Sequence, residues 1–241
     1  MKSWTFGLAL VLCLTAAGCG NKKDDTQGPG PGSGKNPTST AGVPGPASGK
    51  DFPSPSSWEI RPYVVGQWIR VSLTSGNEPP AEHLFKIVGQ EGNAFWLEVE
   101  AKTPAGTNVT QLLLDDSIRK GYKAGIIKKA RLKPPGGQVQ ELSGATLALA
   151  AGVVDQYLGV LDQTQLSKAQ RADATVPAGN FRGCYVLESD KPVMGIPMKS
   201  KSWYHPQVPV MGLVRSESVV NGKPSKMELL EIHESGAKSA I

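Results

Sequence analysis

The sequence predicts an α+β fold: a curved antiparallel sheet, half-barrel-like, with one main packed helix, set behind a disordered N-terminal linker. Three observations predict it. Past Trp58, apolar and polar residues alternate in short runs, the signature of half-buried strands. Gly, Pro and Asn clusters break those runs at near-regular spacing, as in an antiparallel meander. One Ala- and Leu-rich stretch, Ala145 to about Leu161, carries apolar residues at helical spacing and reads as the helix that packs on the sheet.

The chain of 241 residues opens with a segment of another kind. Lys2 supplies a charge, Thr5 to Ala17 an apolar core, and Ala16-Ala17-Gly18 the small residues of a secretory cleavage site. That core is too short to span a bilayer, which takes about 20 apolar residues. Ala16-Ala17-Gly18-Cys19 resembles the lipobox of bacterial lipoproteins, with Ala16 standing where Leu is usual. The resemblance implies cleavage after Gly18 and a diacylglycerol on the Cys19 thiol, so the membrane is the first expected partner. Gly20, where Asp would retain an enterobacterial lipoprotein in the inner membrane, implies the outer membrane. The expected location is therefore the cell envelope, lipid-anchored, on the periplasmic face or the cell surface.

Residues 1–18 thus read as signal and 19–57 as lipidated cysteine plus linker, followed by one mostly-β domain over 58–236 and a tail over 237–241. The linker is Gly, Pro, Ser, Thr, Asn, Asp and Lys, which bury too little apolar area to fold. It spans roughly 35 Å on average and reaches about 125 Å when extended. What remains suffices for a single core. The net charge of +5 is mild; it favours anionic surfaces and gives no ground for a nucleic-acid partner. Of three cysteines, Cys13 leaves with the signal and Cys19 is acylated. Cys184 is then without a disulfide partner, so packing alone must hold the fold.

The elements follow in order. Gln67 to Leu73 puts Ile69, Val71 and Leu73 on one face of a strand. His83 to Val88 is the second strand, Ala94 to Glu100 the third and Asn108 to Leu114 the fourth. Asp115-Asp116 begins a short helix, with acids in its first turn. Ile126 to Lys133 and Gln138 to Leu142 form a hairpin about Pro134-Pro135-Gly136-Gly137. After the helix, Thr175 to Gly179 opens a long strand, Asn180 to Glu188. Val208 to Val219 and Lys226 to His233 form the last hairpin, turned by Asn221-Gly222, a strong hairpin signal.

The run Val176-Pro177-Ala178-Gly179-Asn180-Phe181-Arg182-Gly183-Cys184, then Trp203-Tyr204-His205-Pro206 and Val208-Pro209-Val210-Met211-Gly212-Leu213-Val214, resembles the C-terminal half of exported myxobacterial-type lipoproteins. The sheet is similar to the half-barrel of periplasmic lipoprotein carriers. The resemblance implies a fold and no reaction.

Motifs for chemistry are sparse. Cys184 and His205 are a conceivable thiol nucleophile and base, although Cys184 sits mid-strand where a small buried hydrophobe is expected. Asp115-Asp116, and Glu188 with Asp190, are adjacent acids that read as solvated edges. His83, His205 and His233 lack metal-ligand spacing, so no metal and no cofactor is expected. Arg119, Lys120, Lys123, Lys128, Lys129, Arg131 and Lys133 form a basic stretch suited either to phosphate headgroups or to a solvated, aggregation-resistant edge. Trp68, Phe85, Trp96, Phe181 and Trp203 are candidates to line a half-barrel hollow and touch lipid, or to form core. The expectation is non-catalytic binding of an apolar ligand or an envelope partner. The alternatives are an envelope hydrolase using Cys184 or an acid pair, and a purely architectural lipoprotein.

Overall fold

The computed structural model describes residues 49–59, 61–117, 126–148, 166, 168–190, 198–220 and 222–241. Within them, twelve strands form one sheet. In chain order they are β1 (Lys50–Phe52), β2 (Trp68–Ser75), β3 (Ala81–Glu91), β4 (Ala94–Thr103), β5 (Gly106–Asp115) and β6 (Ile127–Lys133). Then come β7 (Gln140–Leu142), β8 (Gln170–Val176), β9 (Gly179–Ser189), β10 (Met198–Tyr204), β11 (Leu213–Val220) and β12 (Lys223–His233).

The spatial order runs β9-β10-β11-β12-β2-β3-β4-β5-β6-β7. β9 carries β8 along one edge. On the other edge β10 pairs with its second half and β1 with its first. The β1–β9 pairing is parallel and the others are antiparallel, so the sheet is mixed. The hairpins expected around Pro134–Gly137 and at Asn221-Gly222 are present as β6–β7 and β11–β12. Gly222 takes the positive φ of 76° that such a turn needs; Asn221 lies outside the described residues.

The α+β expectation is corrected. Helix among the described residues is confined to 144–148 and Leu166, with a 3₁₀ turn at 116–117. The rest of the expected helix over 145–161, and most of the short one after Asp115, lies outside the described residues. The described residues form a large, open, mixed sheet, half-barrel-like, with little helix among them. Three strands invisible to alternation tip the balance. β8 is a polar Gln-Arg-Ala-Asp-Ala-Thr edge that takes its conformation from β9. β10, Met-Lys-Ser-Lys-Ser, is polar at every second position on both faces and forms because β9 and β11 hydrogen-bond both its edges. β1 lies in the stretch whose composition reads as linker, and it is admitted by a close approach of Gly49 to Gly179.

Directly paired residues share a face, so register sorts the side chains. The row Ile87–Leu97–Leu112–Ala130–Leu142 crosses five strands on one face, joined there by Ile69 and Phe85. This is the inner face: its buried residues form one cluster with Phe181, Leu213, Val214, Met227 and Leu229 from the other half of the sheet. The sheet curls around that cluster. β8 lies against β11 and β12, strands it does not pair with, and the Ala178 N–H donates to Leu229 O at 3.1 Å. Burying each such aliphatic or aromatic side chain contributes about 2–3 kcal/mol. Leu166 is fully buried in the cluster and Leu147 packs against it.

A belt over residues 53–66 closes one end. Pro53 O meets His205 Nε2 at 3.2 Å, and Trp58 packs edge-on to Tyr185 and Tyr204. Further along, Arg61 forks onto Glu234, Tyr63 packs on Phe95, and the Gly66 N–H donates to Ile87 O.

Candidate functional site

Gly18 and Cys19 lie outside the described residues, so the anchor stands on sequence. Among the described residues no helix is long and apolar enough to cross a membrane.

The five aromatic candidates do not gather in one hollow. Phe85 and Phe181 are inner-face core, Phe181 fully buried and stacked on Phe52 at 4.1 Å. Register puts Trp68, Trp96 and Trp203 on the outer face. There each has a polar companion. Trp68 stacks on His233 at 3.8 Å. Trp96 lies under Arg131 and its Nε1–H donates to Glu91. Trp203 sits beneath Lys201 and Arg215. An aromatic within a strand run is legible in sequence; the face it takes depends on register, which bulges such as the one between Ile87 and Gly89 reset.

Cys184 and His205 do not form a nucleophile–base pair. Cys184 is 0% exposed and its thiol points to Phe181 O at 3.6 Å. Burial, with the Asp173 carboxylate nearby, pushes the thiol up to about 12. At neutral pH it is protonated and inert, since the thiolate is the nucleophile. Both ring nitrogens of His205 are engaged: Nδ1 accepts from the Gln207 N–H and Nε2 faces Pro53 O. This pattern assigns the proton to Nε2. Burial holds His205 below its usual range, so the ring is a neutral clamp between the belt and the 205–212 loop.

The acid pairs are likewise engaged. Glu188 and Asp190 bridge to Lys201 at 2.8 Å and Lys199 at 3.3 Å. Asp115 caps Ser117 N–H at 2.9 Å, and that bond, with Lys128 nearby, holds its carboxyl below the ordinary range. In the basic stretch, Lys128 meets Asp115, Lys129 meets Glu91, Arg131 covers Trp96 and Lys133 donates to Ala240 O. Arg119, Lys120 and Lys123 lie outside the described residues. The described cations brace their own sheet, which is the solvated-edge alternative.

Two polar constructions on the outer face escaped the sequence reading. The first lies on β3–β5. Lys86 and Glu98 form an ion pair at 5% and 0% exposure, and Glu100 adds a second carboxylate to Lys86. Residues 237–241 cross above them. The Ala240 N–H and the Ser239 hydroxyl donate to Glu98 at 3.1 Å each, and Gln111 Nε2 does so at 2.7 Å. Lys86 donates to Lys238 O at 2.9 Å. A buried charge pair needs such surplus hydrogen bonds. In sequence Lys86 and Glu98 are ordinary outward positions of alternating strands, and nothing local announces the lid.

The second is a trough of about 810 Å³ across β9, β10, β11, β12 and the end of β2. Its floor is the backbone of Ser189, Ser200, Ser218 and Ser225, register partners on successive strands. One wall is the row Glu188–Lys201–Glu217–Lys226–Thr74. The other is Asp190, Lys199, Val219 and Pro224. Lys199-Ser200-Lys201 and Glu217-Ser218 carried a signal, alternation of charge with serine, that only the cross-strand register turns into a wall.

No protein-family model matches the chain, and no curated protein matches it. Among solved structures, it is similar to a DUF1329 family protein from Desulfovibrio piger (TM-score 0.33, 11% identity, covering 72% of this chain and 87% of that one). It is also similar to a domain described as an outer membrane lipoprotein-sorting protein from Vibrio parahaemolyticus (0.34, 10%, 72% and 87%). LprF from Mycobacterium bovis gives 0.34 and 12%, covering 72% of this chain and 88% of its own.

Proposed function

We propose that this chain is a lipid-anchored protein of the cell envelope, held by Cys19, whose curved sheet binds an apolar ligand such as acyl chains without catalysing a reaction. The observation that carries the reading is the inner face: aliphatic and aromatic residues dominate it over β2–β7 and beside β8, β9 and β12, Ser200, Ser202, Ser216, Ser218 and Ser225 interrupt it on β10–β12, and the described strands leave the sheet unclosed, since its end strands do not pair. An unclosed sheet of that kind can part along its free edges and admit an apolar ligand between the packed side chains. The engaged state of Cys184, His205 and the acid pairs supports binding over the hydrolase alternative. The lipobox-like run and Gly20 support the anchor and an outer-membrane address.

Two measurements test it. Metabolic labelling with a palmitate analogue is expected to mark the chain and to be abolished by Cys19→Ala. Lipid mass spectrometry of the protein extracted from native membranes, with titration of a fluorescent fatty-acid probe, is expected to give bound lipid and saturable, lipid-competed binding. An extract free of lipid, together with no saturable probe binding, overturns the ligand reading.

A further inference from the structure

The outer-face trough has a property that its residues do not show one at a time. Along its wall the charges alternate, Glu188, Lys201, Glu217, Lys226, one on each successive strand about 4.8 Å apart. The four side chains are 40–67% exposed. Lys201 pairs with Glu188, Lys226 with Glu228 and Glu217 with Arg215, contacts that at such exposure are worth little and exchange partners readily.

A row of even length and alternating sign is its own complement. Turned about a two-fold axis through its middle, Glu188 meets Lys226 and Lys201 meets Glu217, and both contacts occur twice. Any partner for this wall must repeat opposite charges at the inter-strand step, and a second copy of the same sheet does so by construction. Val219, one of the few exposed large hydrophobics, stands on the facing wall. Over β3–β5 the outer face is unsuited, because the tail already covers it.

We propose that the β9–β12 outer face is a homodimer interface, in which the Glu188–Lys201–Glu217–Lys226 rows of two copies pair antiparallel about a two-fold axis. The contact is small by the standard of permanent dimers, so the dimer is weak and salt-sensitive. The inference is independent of what the inner face binds.

The test uses the full chain carrying Cys19→Ala, so that no acyl chain drives association, in sedimentation equilibrium at low and high salt. The parent chain is expected to dimerise at low salt and to dissociate at high salt. Lys201→Glu and Glu217→Lys each put like charges into two symmetry-related contacts and are expected to weaken the dimer about a hundredfold. Mixing the two variants restores opposite charges at both contacts, so the mixture is expected to form heterodimers while each variant alone stays monomeric. Urea midpoints close to that of the parent show that both variants fold. A parent chain monomeric at all concentrations, variants that still dimerise, or a monomeric mixture each overturns the proposal.

Discussion

Removing Glu98 is expected to be among the costliest single changes in the sheet. The side chain is fully buried yet lies on the face opposite the apolar core. Glu98→Ala leaves the Lys86 ammonium with Glu100 and Lys238 O and the Gln111 amide with Ser239 Oγ alone, and it strands the Ala240 N–H. Breaking a buried pair from one side costs about 3–5 kcal/mol. Glu100 still compensates Lys86 and the tail can lift to admit water, so the low end of that range applies: about 3 kcal/mol, against a total stability on the order of 5–15 kcal/mol. Replacing both charges, Lys86→Met with Glu98→Leu, removes the buried pair together; the partly exposed Glu100 is left to solvent, and Gln111 and the tail lose partners. The double variant is expected to lose far less than the sum of the two single ones, a coupling of about 2 kcal/mol or more. Urea denaturation with an unchanged m-value reads each quantity. If Glu98→Ala lost under about 1 kcal/mol, or if the two single losses simply added, the buried-network reasoning would be refuted.

Other consequences are equally open to measurement. Gly179 has φ 145°, and a Cβ there would lie 2.3 Å from Lys50 O. Gly179→Ala is therefore expected to expel β1 and break the Phe52–Phe181 stack, lowering stability by about 2–3 kcal/mol and opening residues 49–58 to limited proteolysis; an unchanged urea midpoint would contradict this. Cys184, with its thiol pushed up to about 12, is expected to resist thiol reagents in the native chain and react once unfolded, as located by peptide mass spectrometry. Its sign in stability follows: the unfolded thiol ionises near 9.0, so stability is expected to fall as pH rises from there towards about 12, and Tyr204, pushed up to about 12 by burial, acts in the same direction. His83 and His205 are both held below 6.5 by burial. As pH falls through the unfolded value the unfolded chain takes up protons first, and the urea midpoint is expected to drop between pH 7 and pH 5; a flat or rising midpoint would count against their neutral burial.

The fold was legible where one face of a strand is apolar and the other polar. β2 and β4 announce themselves because Ile69 and Val71 flank Arg70, and Leu97 and Val99 flank Glu98, while β5 shows as a β-rich apolar run between turns. It was not legible where a strand owes its conformation to its neighbours: β10 and β8 have little apolar area of their own, and their hydrogen bonds to β9 settle the matter. The same division holds for the candidate site. Cys184 read correctly as a buried small hydrophobe because mid-strand burial is a local property. Lys86 with Glu98, and the Glu188–Lys201–Glu217–Lys226 row, are properties of register. Sequence separations of 12 between Lys86 and Glu98, and larger ones to Ser239 and Ala240, keep such sets out of any local pattern.

The two halves of the outer face therefore have different standing. A convex sheet surface normally keeps its charges solvated, and a carboxylate at 0% exposure there requires a covering segment with donors aimed at it. Over β3–β5 residues 237–241 are that segment, and the C-terminal stretch also fastens the belt, through Glu234 to Arg61 and Gln67 and through Ala237 N–H to Gly66 O. The Arg61 guanidinium holds the Glu234 carboxyl below its usual range. Over β9–β12 nothing comparable among the described residues lies above the charges, and their exposure is that of groups available to a partner. The anchor proposed at Cys19 would bring copies together at high local concentration, which is the circumstance in which a small, charge-matched surface of this kind is sufficient.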